Sequence, residues 1–209
     1  MRRTLVATVA ATLLLAGLAS WQAAAAQHDT MHSPAAAAPA KTSATAPAAT
    51  AAAPPTGLRA LASRQIVAAQ KKLIALAEAT PPEKYAWRPA DGVRSVGEVY
   101  MHVAGANYFL PTFWGAKPAA GVDPRTLEKD GGDKAKTVAA LKQSFDYAQQ
   151  AIDAVPDADL AKAVQVFGRA STTGEVMLGL GVHAHEHLGQ SIAYARMNGI
   201  VPPWSAAGQ

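Results

Sequence analysis

The stretch "TTGEVMLGLGVHAHEHLGQSIAYARMNG", residues 172–199, decides how the rest of the chain is read. Thr172 followed three residues later by Glu175 has the spacing of a capping box, in which side chain and backbone satisfy each other at a helix start. Gly199, with Pro202 and Pro203 behind it, supplies a stop. Inside a helix each residue turns the chain by about 100°, so Val176, Leu180, His183, His187, Gln190 and Tyr194 share one mostly apolar face, which Gly179 and Met197 flank. His185 falls on the opposite side and reads as a solvated surface residue. Two histidines on one apolar stripe therefore face inward together.

Working outward, three further helices are expected. Ala62, Ile66, Ala69, Leu73 and Leu76 alternate spacings of four and three, which makes an apolar stripe over about Leu58 to Ala79. Pro81, Pro82 and Pro89 end it. Ser95 and Glu98 form a second capping-box spacing, opening a helix that runs to about Trp114, with Pro111 as a kink or early stop. Val138, Leu141, Phe145, Ala148 and Ile152 mark the third stripe. Strand-like alternation of Val, Ile and Thr is absent, so the expected fold is all-α, a four-helix bundle. The connections 115–132 and 154–171 are long for such a fold; each has room for a short helical turn, and one could cover an open end of the bundle.

The 209-residue chain opens "MRRTLVATVAATLLLAGLASWQAAAAQHDT", with two arginines, an apolar run and an Ala-x-Ala cleavage signature. Residues 1–26 read as a secretory signal peptide, since the run is shorter than the roughly 20 residues a membrane-spanning helix needs. Residues 27–57 are almost wholly Ala, Pro and Thr, too poor in large apolar groups to fold, and read as a disordered tether. His28 and His32 lie in it; a cut after Ala25 makes His28 the third mature residue, where the free amine and imidazole could hold Cu(II) or Ni(II), although incidental polar residues in a tail are the plainer reading. Residues 58–209 are the size of one domain. Setting aside Arg2, Arg3, Lys41 and Asp29, this part carries 16 basic against 14 acidic residues, with no basic stripe to favour nucleic acid. The chain has no cysteine, so an exported protein here relies on its core or on a metal. Periplasmic or secreted localisation is the expectation, with no membrane span after signal cleavage.

His102 lies on the second helix with Val99, Ala106, Phe109 and Phe113 within about 60° of it, a stripe read as facing the core. One histidine on an apolar face is ordinarily a core residue with a single hydrogen bond. Three packed together would leave ring nitrogens unsatisfied and repel when protonated, and a divalent metal removes both costs. The candidate ligands are therefore His102, His183 and His187. Imidazole ligation leads to an expectation of zinc or nickel, with iron and copper also compatible.

The segments "PPEKYAWRPADGVRSVGEVYMHVAGANYFL" (81–110) and "HAHEHLGQSIAYARMNGIVPP" (183–203) resemble the DinB-like family of metal-binding four-helix bundles, which includes bacillithiol transferases and resembles the mycothiol-dependent maleylpyruvate isomerases. The most specific pieces are the "WRP" turn, the "SVGE" helix start leading to a histidine, and H-x-x-x-H-x-G-Q followed by R-x-x-G. The resemblance implies that one histidine of the second helix and the H-x-x-x-H pair of the fourth hold a divalent metal, again His102, His183 and His187. It also implies metal-assisted thiol transfer to a small electrophile, and a homodimer, which no sequence feature requires. Export weighs against thiol transfer, because low-molecular-weight thiols are mainly cytosolic.

His183, Glu186 and His187 also spell the H-x-x-E-H of inverted zinc peptidases. That chemistry needs a further carboxylate ligand downstream, and residues 188–209 contain no Asp or Glu. Around the metal, Gln190 and Tyr194 are candidates to orient water or substrate, and Glu98 to accept a ligand's N–H. Trp87 and Trp114 read as packing at the bundle ends, and Arg196 as favouring the helix-terminal dipole. Three function classes remain open: a metal-dependent transferase or hydrolase acting on a small molecule, a non-catalytic metal-binding or sensing protein of the envelope, and a structural bundle with vestigial histidines.

Overall fold

In the computed structural model the described residues are 57–206. The expected signal peptide, the tether up to residue 56, and His28 and His32 lie outside them. The described part is mostly helical: α1 (Leu58–Ala79), α2 (Val96–Phe109), α3 (Lys134–Asp153), a hairpin of β1 (Ala163–Val166) and β2 (Arg169–Thr172), α4 (Thr173–Met197) and a short α5 (Pro203–Ala206). No described helix is long and apolar enough to cross a membrane.

Both capping boxes form. Ser95 accepts from the Glu98 amide while Glu98 accepts from the Ser95 amide, and Thr172 and Glu175 do the same at α4. The α1 stripe is buried, with Ala62, Ile66, Ala69, Leu73 and Leu76 all fully enclosed. On α3, Leu141, Phe145, Ala148 and Ile152 are buried, whereas Val138 is half-buried and its neighbour Thr137 takes the enclosed place. Helix α1 packs on α3 and α4, and α2 on the same two, so one core fills the space between the four long helices. Pro111 ends α2 at Phe109, and a 3₁₀ turn continues from Leu110 to Trp114.

The fold departs from the sequence reading in three places. It is not all-α: residues 163–172 form an antiparallel hairpin, paired from Ala163–Thr172 to Val166–Arg169, which leaves Phe167 and Gly168 as a two-residue turn. Both turn residues have positive φ, 49° and 79°, the backbone that matches the twist of the flanking strands. Four-residue strands offer too few alternations to stand out in a sequence. Next, α2 is buried on most sides, because the 115–132 connection lies along it; a carbonyl of Gly131 sits where a Cβ of Gly97 would be, and Pro124 closes on Gly105. Its His102 stripe consequently is not the core face: Ala106 is half-buried and Phe109 is exposed. Finally, α4 buries a second stripe, Met177, Ala184, Leu188, Ser191 and Ala195, so two faces of this helix are covered. His185, at the edge of that stripe, is half-buried and its Nε2 lies 3.2 Å from the Gln65 carbonyl of α1, rather than standing free in solvent.

Candidate metal centre

Helices α2 and α4 converge at their histidines. His102, His183 and His187 each offer one ring nitrogen, and these nitrogens all lie within 4.8 Å of one another. The rings are half-buried, and their centroids stand 4.5 to 5.1 Å apart. His102 Nε2 and His183 Nε2 are 3.2 Å apart. Two nitrogens that share one cation at about 2.0–2.1 Å in a tetrahedral arrangement stand about 3.3 Å apart, so this pair already has a ligating separation. His187 contributes the third nitrogen, within 4.8 Å of the other two.

The outer nitrogens are held in a way that leaves the inner ones free. His102 Nδ1–H donates to Glu128 Oε1 at 2.8 Å, and the other Glu128 oxygen accepts from Arg94 Nε at 2.8 Å. His187 Nδ1–H donates to Gln190 Oε1 at 2.8 Å, and Gln190 Nε2 donates to the Tyr194 hydroxyl at 3.0 Å. With Nδ1 protonated, each Nε2 keeps its lone pair for a metal, the carboxylate–imidazole arrangement that orients ligating histidines. His183 Nδ1 is buried with no hydrogen-bond partner. Its Nε2, which faces His102, is therefore the nitrogen this ring can offer to a cation. The donor set therefore fits a divalent metal.

The electrostatics agree. Burial lowers the pKa of His102, and the Glu128 hydrogen bond does not restore it. Burial, with the His187 and His102 imidazoles nearby, brings His183 down to about 4. Both rings are thus neutral at neutral pH, the form in which an imidazole can ligate. Burial pushes the Glu128 carboxyl up, but its bonds to Arg94 and His102 outweigh that and hold it below the usual range.

The sequence reading placed Gln190 and Tyr194 beside the site, and there they stand. Glu98 is elsewhere: its carboxylate is taken by the Ser95 amide at 2.6 Å and by Arg88 at 3.0 Å, and it does not serve His102. Glu128 supplies that contact instead. It comes from the 115–132 connection, whose path along α2 is a tertiary fact with no local signal in "TLEKD". Glu186, the would-be base of the peptidase motif, is exposed and stands outside the cluster. Trp87 packs edge-on to Tyr194 with centroids 5.4 Å apart, and Trp114 donates to the Ala151 carbonyl at 3.3 Å, both half-buried against the core.

His102 and His183 open into a cleft of about 540 Å³. Ala106, Phe109, Leu110 and Pro124 make its wall, and Phe167 of the hairpin turn reaches its rim. A larger hollow of about 930 Å³ beside the start of α3 is lined by none of the histidines.

Comparison with protein families matches residues 65–191, more than half of the chain, to the DinB superfamily. The chain belongs to the DinB superfamily. A similar solved structure is that of a DinB-like protein from Bacillus cereus ATCC 10987, 17% identical, with a TM-score of 0.60 over 68% of this chain and 93% of that one. At that identity the likeness shows a shared DinB-like fold. Comparison with curated proteins finds no match.

Proposed function

We propose that this DinB-superfamily protein is a metal-dependent enzyme, a transferase or hydrolase acting on a small molecule, with a divalent ion held by His102, His183 and His187. The observation that carries the proposal is the pair of Nε2 atoms 3.2 Å apart at the floor of an apolar cleft. Three imidazoles leave at least one coordination position for water or substrate, the arrangement of catalytic rather than structural zinc. Zinc or nickel is the ion proposed, from an all-imidazole donor set that iron and copper also suit. When bound there, a divalent ion acidifies a coordinated water or thiol and polarises a carbonyl, so both thiol transfer and hydrolysis are available to it. Glu128 and Gln190 hold the ligand rings in one tautomer and orientation, the Glu128–Arg94 pair keeps the carboxylate ionised, and the cleft wall excludes water from one side of the reacting groups.

In this reading the four long helices are a four-helix bundle, exported under a signal peptide over residues 1–26 and carried on a tether over 27–57, to act in the periplasm or outside the cell. The test is element-resolved mass spectrometry of protein purified from its own envelope, alongside His102→Ala, His183→Ala and His187→Ala. One equivalent of metal in the parent chain, lost in each variant with the helical circular dichroism kept, is the expected result. Absence of metal under several loading conditions overturns it. Stoichiometric metal without hydrolysis or thiol transfer across a substrate panel favours an envelope metal-binding protein instead.

A further inference from the structure

Phe167 carries two costs at once. It is 74% exposed, and it is the one non-glycine among the described residues with positive φ, 49°. At the first central position of a two-residue hairpin turn, Asn, Asp or Gly fits that backbone without penalty, and a bulky aromatic does not. A strained, solvent-facing apolar side chain marks a place where something other than folding decides the residue.

Its position supplies the reason. The β1–β2 hairpin projects the ring onto the rim of the 540 Å³ cleft, where it meets Phe113 at 5.3 Å and Phe109 at 6.0 Å, centroid to centroid; Phe109 and Phe113 in turn stand 5.1 Å apart. Phe109 is itself partly exposed. Phe109 and Phe167 thus line the same opening as His102 and His183, and Phe113 backs both rings from outside it. Of the charged residues that line the cleft, Glu128 is held by His102 and Arg94, and Arg125 is almost fully exposed to solvent beside Asp123.

We propose that the cleft binds a ring-bearing, largely apolar small molecule with one metal-ligating head group, and that Phe167 determines this specificity by closing on the ring. The head group reaches the histidines, and the ring lies between the α2 wall and Phe167. The inference rests on the metal reading for the head group, while the ring site stands on the cleft alone.

Two hydroxamates separate these contributions, since benzohydroxamate and acetohydroxamate share a chelating head and differ in the ring. Calorimetric titration of the zinc-loaded full chain is expected to show benzohydroxamate binding at least about tenfold more tightly. In Phe167→Asn, whose side chain suits a positive φ, that ratio is expected to fall below about threefold while the thermal midpoint is kept or raised. A purely structural Phe167 predicts the reverse, a lowered midpoint and an unchanged ratio. Equal affinities in the parent chain, or a ratio that the substitution leaves unmoved, overturn the proposal. Toluene titrated into the metal-free protein, followed by NMR shifts of the Ala106 and Leu110 methyl groups, distinguishes the two layers. Toluene shifts that are lost in Phe167→Asn, with no hydroxamate bound at all, retain the ring site and reject the metal; absence of toluene shifts in the parent rejects the ring site whatever the metal does.

Discussion

At the His102 imidazole one nitrogen is already engaged, and that engagement decides what the other can do. Glu128 takes the Nδ1 proton and so presents Nε2 as a lone pair. Glu128→Gln keeps an oxygen for that bond but removes the charge and the Arg94 pair, so metal affinity is expected to drop by about 10- to 100-fold, read by competition with a chromophoric zinc chelator. Fold stability is expected to change by less than about 1 kcal/mol, because the pair is partly solvent-exposed. An unchanged affinity would reduce Glu128 to a surface ion pair. His183 gives the residue-scale pH dependence of the metal-free protein. Its pKa of about 4 lies below the ordinary histidine value of about 6.5, so between those limits the unfolded chain takes up a proton that the folded chain refuses. Stability is therefore full above about pH 6.5 and declines as the pH falls toward 4. Thermal midpoints measured in chelator across this window are expected to fall less steeply for His183→Gln than for the parent chain.

Among the elements, the one that completes the histidine cluster's hydrogen bonding is the least regular. The 115–132 connection reaches His102 only because α2 lets it approach, through Gly97 under the Gly131 carbonyl and Gly105 under Pro124. Gly97→Ala places a methyl group on that carbonyl oxygen, and the backbone has to back away. The expected cost is about 1–3 kcal/mol by denaturant unfolding. Because Gly131 stands three residues from Glu128, the same substitution is expected to weaken metal binding as well. Gly132→Ala, where an added Cβ meets nothing within 4 Å, is the matched control and is expected to leave both properties unchanged. The helices themselves were readable for a local reason: periodic apolar spacing and reciprocal caps are properties of a few neighbouring residues. The α1 stripe and both capping boxes appear as read. The hairpin was not, since four-residue strands with two valines lack the length for alternation to show.

For the molecule as a whole, a ligand that binds only the folded state adds RT ln(1 + [L]/Kd) to its stability. Zinc at about a hundred times its dissociation constant is expected to add about 2.7 kcal/mol, a rise of about 5–10 °C in thermal midpoint for a domain of this size, reversed by chelator and absent in His187→Ala. Scanning calorimetry with and without metal checks it.

Sequence alone determined the helix stripes, the caps and the fact that His183 and His187 share a face while His185 does not, because a helix converts spacing into direction by its own geometry. It also singled out His102, although on a stripe misjudged as core. What only the tertiary structure decided is which side of each stripe meets a neighbour and which meets a cleft. Covering α2 with a distant loop, bringing Glu128 to an imidazole 26 residues away, and setting Phe167 over the opening all depend on chain segments whose approach no local pattern encodes. Burial of a face depends on what arrives to cover it, and that is settled only when the whole chain packs.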